Sequence, residues 1–485
     1  MNKELRRVSA FVLVLFLALF SSSTIVQFFQ SNSLKEDPRN VRTLYASFST
    51  ERGPILAGDQ QVAYSTPVDD DFQYLRVYPD GPLYSAATGY FTLDQGATGV
   101  ESELNSLLSG TSDSQFLDRV TSILTGQEPK GAAVELSIDP VVQQAAWDAL
   151  GDYQGAVLAI EPATGRILAL VSKPTFDPNA LAVHDSAAVI DLYDQLLADP
   201  GQPLINRTIQ GDLNPPGSTF KLVVASAALE SGKYTPDSAF PNPAQLQLPQ
   251  STAVIQNSGG GTCGPGATVT IATALRLSCN IPFAELGLEL GFRAISEQAK
   301  KYGFGDDSFE IPMPVAPSVY PAVQSDAELM LSAFGQGNDR VTPLQMAMVS
   351  AAIANGGLQM RPGVVDKVTA PDLSALRTFS PAEYGRPISA ATAATMTQLM
   401  VANVANGAAS NARIGGIDVA GKTGTAENGP GEPYTLWFTG FAPADSPQVA
   451  VAVVIEDGGG LGQEGYGNLL AAPIGKQVME AVIDR

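Results

Sequence analysis

The most continuous apolar stretch runs from Val8 to Val26 (VSAFVLVLFLALFSSSTIV) and carries no charge. At about 1.5 Å rise per residue a helix here would reach about 28 Å, close to the hydrocarbon thickness of a bilayer. Lys3, Arg6 and Arg7 precede it, which fits an N-terminus held on the cytoplasmic side. Lys35, Arg39 and Arg42 follow it, so the charge asymmetry is small. A cleaved signal peptide is the competing reading. The run is longer than a usual signal core, no A-x-A site follows, and no cysteine is present to accept a lipid. The expectation is an uncleaved transmembrane signal anchor over 8–28, single-pass in the cell membrane, with nearly all of the chain outside the cell.

A polar stalk is expected over Gln27–Asn40. From Val41 to Gln127 the pattern breaks into short strand-like pieces such as Arg52–Leu56 and Leu75–Tyr78, with helical spacing only in Ser102–Leu108 and Gln115–Leu124. This suggests a small α+β module over 30–130, closed by a linker at Gln127–Gly131. Beyond it, Asp139-Pro140 is a cap and first-turn pair for a helix through Leu150. Gly155–Glu161 and Arg166–Ser172 flank a Pro/Gly turn and predict a hairpin. Near the other end, Tyr434–Phe441 and Val449–Glu456 read as strands, Gly458–Gly467 as a Gly-rich loop, and Leu470–Ile483 as a helix with Leu470, Ile474, Val478 and Val482 on one stripe. Strands at both ends with helical material between them imply an antiparallel sheet flanked by helices, in an α+β domain spanning 131–485.

With 485 residues and 45% hydrophobic content, the chain can bury a large core in two or three domains. The formal net charge of -21 argues against a nucleic-acid partner and otherwise names none. A single histidine, His184, rules out zinc sites built on several His ligands. A Ser-His-Asp triad would have to use it, and its unpatterned polar surroundings give it no catalytic reading.

Chemistry is concentrated in three short boxes. Asn214-Pro215-Pro216-Gly217 breaks the preceding structure, and Ser218–Leu229 then has helix character, with apolar positions 220, 223, 224 and 227. Ser218 is expected at the helix start, with Lys221 one turn on and on the same face. A serine hydroxyl becomes a nucleophile when a base takes its proton, and a lysine is such a base only when neutral. Burial beside a second cation supplies that condition, and a helix N-terminus adds positive potential. Taken alone, the pair is an N-cap and a solvated lysine. However, no other lysine in the chain has a serine three places before it.

The second box is Ser278-Cys279-Asn280, after a helix expected over Ile271–Leu277. Its hydroxyl is suited to relay a proton between Lys221 and a leaving amine, and the Asn280 amide to bond a substrate peptide group. The third is Lys422-Thr423-Gly424-Thr425, expected on a strand. Lys422 would offer charge to a substrate carboxylate, joined by the Thr423 and Thr425 hydroxyls. Gly424 would let backbone approach a ligand. The N–H groups of Thr425 and Ser218 would form an oxyanion hole, about 3 kcal/mol per donor. Glu101–Asn105 matches the ExxLN pattern of a deacylating glutamate but precedes the nucleophile, and is read as chance.

Three such boxes in this order resemble the penicillin-recognising serine acyltransferases. Over nearly its whole length the chain resembles the class B penicillin-binding proteins, in their short actinobacterial type. Glu51–Ile55, Arg76–Pro79 and Gly99–Glu101 resemble segments of that family's N-terminal module. Leu136–Asp139, Gly165–Leu170, Asn206-Arg207 and Trp437–Phe441 resemble segments of its transpeptidase domain. Leu56–Asp59 departs from the family's DRNG-like turn. The space before the module is too short for a glycosyltransferase domain, which disfavours the bifunctional class.

The resemblance implies a serine β-lactamase-like transpeptidase domain, and a D,D-transpeptidase that cross-links peptidoglycan stem peptides through an acyl-enzyme on Ser218. It also implies acylation by β-lactams and no metal or organic cofactor. The implied partners, besides stem peptides, are the cytoplasmic membrane, a membrane glycan polymerase and division proteins. Competing readings are a D,D-carboxypeptidase, a β-lactamase, and a scaffold of the division or elongation machinery. Cys263 and Cys279 are free buried thiols or, outside the cytoplasm, a disulfide whose loop closure would contribute about 3 kcal/mol.

Overall fold

The computed structural model describes residues 2–30, 48–115, 130–211 and 213–485. Residues 116–124 of one expected helix, 31–40 of the stalk and 127–129 of the linker lie outside them. The expected hairpin forms: Gly155–Ile160 pairs antiparallel with Ile167–Lys173. It is part of a five-stranded antiparallel sheet in the order Ala420–Ala426, Thr435–Ala442, Val449–Ile455, Gly155–Ile160, Ile167–Lys173. All residues of the three central strands are buried, so both faces are covered. Alternation divides them. Val449, Val451, Val453 and Ile455 join one core, and Ala450, Ala452 and Val454 the other.

Helices Pro140–Leu150 and Ala471–Ile483 close one face. The first starts where Asp139 accepts hydrogen bonds from the N–H groups of Val141 and Val142. On the second, Ile474, Val478 and Val482 are buried while Leu470 sits just ahead of the helix. Helix Pro343–Ala354 covers the opposite face. Helix Lys221–Glu230 lies in the same core but differs from expectation. It begins after a 3-10 turn over Gly217–Phe220 and is buried on all sides from Lys221 to Ala228, with no solvent face. Helices Ile281–Lys301 and Ala390–Asn406 enclose it, and its alanines and Ser226 let them come close.

A second sheet has six strands in the order Ala375–Thr378, Val365–Thr369, Ala133–Leu136, Ile55–Ala57, Gln60–Pro67, Tyr74–Val77. Ile55–Ala57 runs parallel to Ala133–Leu136, and the remaining pairs are antiparallel. Residues from far apart in sequence therefore share one ladder, which joins the first module to the rest of the molecule. Beneath it Arg52 Nε lies 2.5 Å and Arg76 Nε 2.6 Å from the two oxygens of Glu101, and Tyr78 donates its hydroxyl to the same carboxylate. Arg52 also donates to Asn105 and to the Glu101 carbonyl. Glu101 is thus the counter-ion of two buried guanidiniums, which accounts for its position in an ExxLN stretch. That stretch folds as two short helices, Gly99–Glu103 and Asn105–Leu108, instead of one over 102–108. His184 has a structural place: its Nδ1 is 2.6 Å from Asp70 and its ring packs on Phe48 and Phe72.

At the N-terminus, helix Asn2–Thr24 continues into a π-helical turn over Ile25–Phe29. The stretch Lys3–Phe29 is long and apolar enough to cross a membrane, with a hydropathy of 2.2 and none of its apolar window buried by the described residues.

Removing one member of a buried ionic cluster strands the others. Glu101→Ala is expected to cost about 3–5 kcal/mol in urea unfolding, leaving two unpaired guanidiniums. Burial alone would raise the Glu101 pKa, but the fields of Arg52 and Arg76 hold it below the usual carboxylate value. The wild-type advantage over this variant should therefore be present above about pH 4.5 and shrink as the pH falls through the depressed value.

Candidate active site

Asn214–Gly217 leads into the nucleophile turn, and its conformation depends on glycine at two places. Gly217 has φ +52, and a Cβ there would stand 2.9 Å from the Thr425 carbonyl group. A Cβ on Gly424 would stand 2.7 Å from the Pro216 carbonyl oxygen. The close approach expected for Gly424 is therefore made to the nucleophile turn, whose backbone is pressed against the Lys422–Thr425 strand. Ser218 follows, with Lys221 one turn further on.

Lys221 is fully buried, and its Nζ lies 2.8 Å from each of three atoms: Ser218 Oγ, the Ser278 carbonyl oxygen and Asn280 Oδ1. Burial, and then the charge of Lys422, push its pKa well below the ordinary lysine value. This geometry selects a direction for the proton. A neutral amine has two N–H groups and one lone pair, and the carbonyl and the amide oxygen can only accept. They take the two N–H groups, so the lone pair is left facing Ser218, whose hydroxyl donates to it.

Ser278 caps helix Ile271–Leu277 at φ 60, ψ 35, a left-handed conformation that costs a serine about 1–2 kcal/mol. That turn points its carbonyl at Lys221 and its hydroxyl at Lys422, whose Nζ is 2.7 Å from Ser278 Oγ. The expected serine–lysine relay differs in detail, because Lys221 is bonded to the Ser278 backbone and Lys422 to its side chain. Asn280 also differs from expectation. Its amide oxygen is on Lys221 and its Nδ2 donates to the Gln256 carbonyl 3.0 Å away, so it orients the base as well as lining the cleft. Cys263 and Cys279 form a disulfide that ties the second box to the glycine-rich segment Gly259–Gly266.

Burial pushes the pKa of Lys422 down to about 7. In its charged form it gives one N–H to Ser278 Oγ and one to the Thr423 carbonyl, leaving a third for a ligand. The Thr423 hydroxyl donates to the Ala408 carbonyl at 3.0 Å, whereas Thr425 Oγ1 accepts from the Gly467 N–H at 3.2 Å and keeps its own proton to give. Of the two threonines expected to grip a carboxylate, Thr425 is the one with a free donor.

Several supporting residues gave no sequence signal for the contact they make, Trp437 included although it lies in a family-like strand. Asn257 accepts from the N–H groups of Asn280 and Ile281, Trp437 Nε1 donates to the Pro215 carbonyl at 2.9 Å, and Gly335 accepts from the Gly217 N–H. All three act from loops or strands remote in sequence. Asp339, four residues after Gly335, is fully buried with neither carboxyl oxygen hydrogen-bonded among the described residues. Burial drives its pKa well above the usual aspartate value.

Comparisons with known proteins agree with this geometry. Residues 155–480 match the penicillin binding protein transpeptidase domain, and residues 52–134 match the penicillin binding protein A dimerisation domain. The chain is 42% identical to the peptidoglycan D,D-transpeptidase PbpA of Mycolicibacterium smegmatis, covering 100% of this chain and 99% of the relative. It is 39% identical, with the same coverage, to PbpA of Mycobacterium tuberculosis. A solved structure of penicillin-binding protein A from M. tuberculosis, a ceftriaxone acyl-enzyme complex, superposes with a TM-score of 0.88 at 38% identity, covering 90% of this chain and 100% of that one. Pseudomonas aeruginosa PBP2 follows with a TM-score of 0.72 at 29% identity, covering 89% and 95%. The chain belongs to the class B penicillin-binding protein family.

Two outcomes are expected. Lys422→Met removes the positive charge that helps keep Lys221 neutral, so the acid limb of the acylation pH profile should move to higher pH. The rate at neutral pH should fall about 10–100-fold, read with a fluorescent penicillin. Asp339→Asn should stabilise the protein by about 1–3 kcal/mol at neutral pH. The native carboxyl keeps its proton while the unfolded one releases it, so this gain should grow as the pH rises above the ordinary aspartate value and vanish below it. Thermal unfolding at several pH values measures it.

Proposed function

We propose that this class B penicillin-binding protein is a peptidoglycan D,D-transpeptidase in which Ser218 is the nucleophile and Lys221 its base. The observation that carries the reading is the fully buried Nζ of Lys221 at 2.8 Å from Ser218 Oγ. In the first half-reaction the Ser218 proton passes to Lys221, and Oγ bonds to the carbonyl carbon of the penultimate D-Ala. The oxyanion is taken by the N–H groups of Ser218 and Thr425. The C–N bond to the terminal D-Ala then breaks. The departing amine receives, by way of the Ser278 hydroxyl that Lys422 holds, the proton that Lys221 took from Ser218, and Lys221 is neutral again. In the second half an amine on a neighbouring strand attacks the ester and gives up a proton to Lys221. The ester C–O bond breaks and Ser218 recovers its hydrogen.

Lys422 and Thr425 bind the donor carboxylate, while Thr423 holds their strand through the Ala408 carbonyl, Gly424 keeps that strand against the nucleophile turn, and Asn280 holds the base and the donor backbone. β-Lactams present a carbonyl and a carboxylate in the same relation and acylate the same serine. The M. tuberculosis relatives solved as β-lactam acyl-enzymes support this reading. Residues 8–28 anchor the chain in the cytoplasmic membrane as a single span, 30–130 form a non-catalytic module, and 131–485 act outside the cell. The anchor and the module are where we place contact with a membrane glycan polymerase and division proteins.

Labelling with a fluorescent penicillin is expected for the wild type and lost in Ser218→Ala. With a D-Ala-D-Ala donor peptide and an amine acceptor, release of D-Ala should be matched by cross-linked product. D-Ala release with hydrolysis alone would make the protein a D,D-carboxypeptidase, and full growth support by Ser218→Ala would make it a scaffold.

A further inference from the structure

We propose that Glu456 is a positioning residue for Ser218, acting through Asn214. This rests on the acyl-enzyme reading above and adds to it a carboxylate outside the three boxes.

The nucleophile turn has few handles by which the protein can hold it. Pro215 and Pro216 have no N–H, so their carbonyls are the only backbone polar groups they offer. The Pro215 carbonyl accepts from Trp437, and the Pro216 carbonyl from the Thr219 hydroxyl at 2.6 Å. Gly217 donates to Gly335 at 2.9 Å. The entry point is Asn214, which is held by three groups. Its backbone carbonyl accepts from the Val341 N–H at 3.0 Å, its amide oxygen accepts from the Thr435 hydroxyl at 3.4 Å, and its Nδ2 donates to Glu456 Oε1 at 2.9 Å. The charged acceptor is the strongest of these.

Glu456 is itself fixed. Its Oε2 accepts from Arg207 Nε at 3.0 Å and from Gln154 Nε2 at 2.8 Å, and Arg207 directs its other N–H groups to the carbonyls of Gly201 and Gln202. The carboxylate follows the end of the Val449–Ile455 strand, so its position is set by the sheet. One oxygen is committed to the frame and the other to the turn that carries Ser218. Glu456 lines a polar cavity of about 490 Å³ together with Asn214, Arg207 and Gln154, and 18% of its side chain is exposed. Changing its chemistry therefore leaves no void in the core, and a role in packing is separable from a role in alignment.

Gln at this position removes the charged acceptor and meets both neighbours only if the Asn214 amide turns over and reverses its contact with Thr435. With Asn214 as it stands, whichever way the Gln amide turns, an NH₂ group faces either Asn214 Nδ2 or the Arg207 and Gln154 donors. A small displacement of an attacking atom costs rate, with a shift of about 1 Å costing up to about 100-fold.

The test measures single-turnover acylation of the full chain by a fluorescent penicillin, separating non-covalent Kd from the acylation rate constant. Glu456→Gln and Asn214→Ala should each lower the rate constant about tenfold with Kd within about twofold. The double variant should be no slower than Asn214→Ala alone, because both changes break one linkage. A wild-type rate constant in Glu456→Gln, or losses that multiply in the double variant, would overturn the proposal. If Glu456→Gln does not fold, Asn214→Asp, which sets a carboxylate against Glu456, carries the test with the same expected loss, and an unchanged rate constant there is equally fatal. A wild type that penicillin does not acylate at all would instead overturn the enzymatic reading, and this one with it.

Discussion

A lysine that has lost its charge is the condition on which the active site rests. An ammonium at Lys221 would spend its protons on three acceptors and leave Ser218 with no base. Neutrality comes from enclosure and from a second buried cation. Enclosure is in turn why helix Lys221–Glu230 must be wrapped on every side and why Ala and Ser replace larger residues on it. The two lysines are kept apart but in communication by one residue. Ser278, held left-handed, shows its carbonyl to one and its hydroxyl to the other.

Much of this was legible in the sequence. The hairpin, the closing helix and the capped helix at Asp139 announced themselves through period-2 and period-3.6 spacing and through cap residues, which are local signals. The three boxes were legible because each is contiguous. What escaped was non-local. Asn257, Trp437, Glu456 and Asp339 gain meaning only when a distant backbone arrives beside them. That the helix after Ser218 starts beyond a 3-10 turn and is enclosed from Lys221 to Ala228 has the same origin, since propensity says nothing about how many neighbours a helix will have. Gly424 was read as making room for a ligand, whereas the strand uses it to touch the nucleophile turn. The ExxLN match at Glu101 carries no catalytic meaning, as expected, whereas its pairing with Arg52 and Arg76 from two other family-like segments is visible only in the fold.

Polar burial follows a single logic in both halves of the molecule. The Arg52–Glu101–Arg76 cluster places two cations on one anion and gives nearly every lone pair a donor, which is how such a group survives without water. The catalytic centre uses the opposite arrangement, two buried lysines with no carboxylate bonded to either among the described residues, and the result is a depressed basicity that a solvated pair would not have. Asp339, a carboxyl whose burial raises its pKa well above the usual aspartate value, belongs with the catalytic centre in this respect. Sites that keep a group in its unfavoured protonation state give up folding stability to do so.

The six-stranded sheet that runs from Ala375–Thr378 to Tyr74–Val77 has a mechanical consequence. Strand Ile55–Ala57 of the first module is bonded to Ala133–Leu136, so parting the module from the rest would break a row of backbone hydrogen bonds together instead of a single side-chain contact.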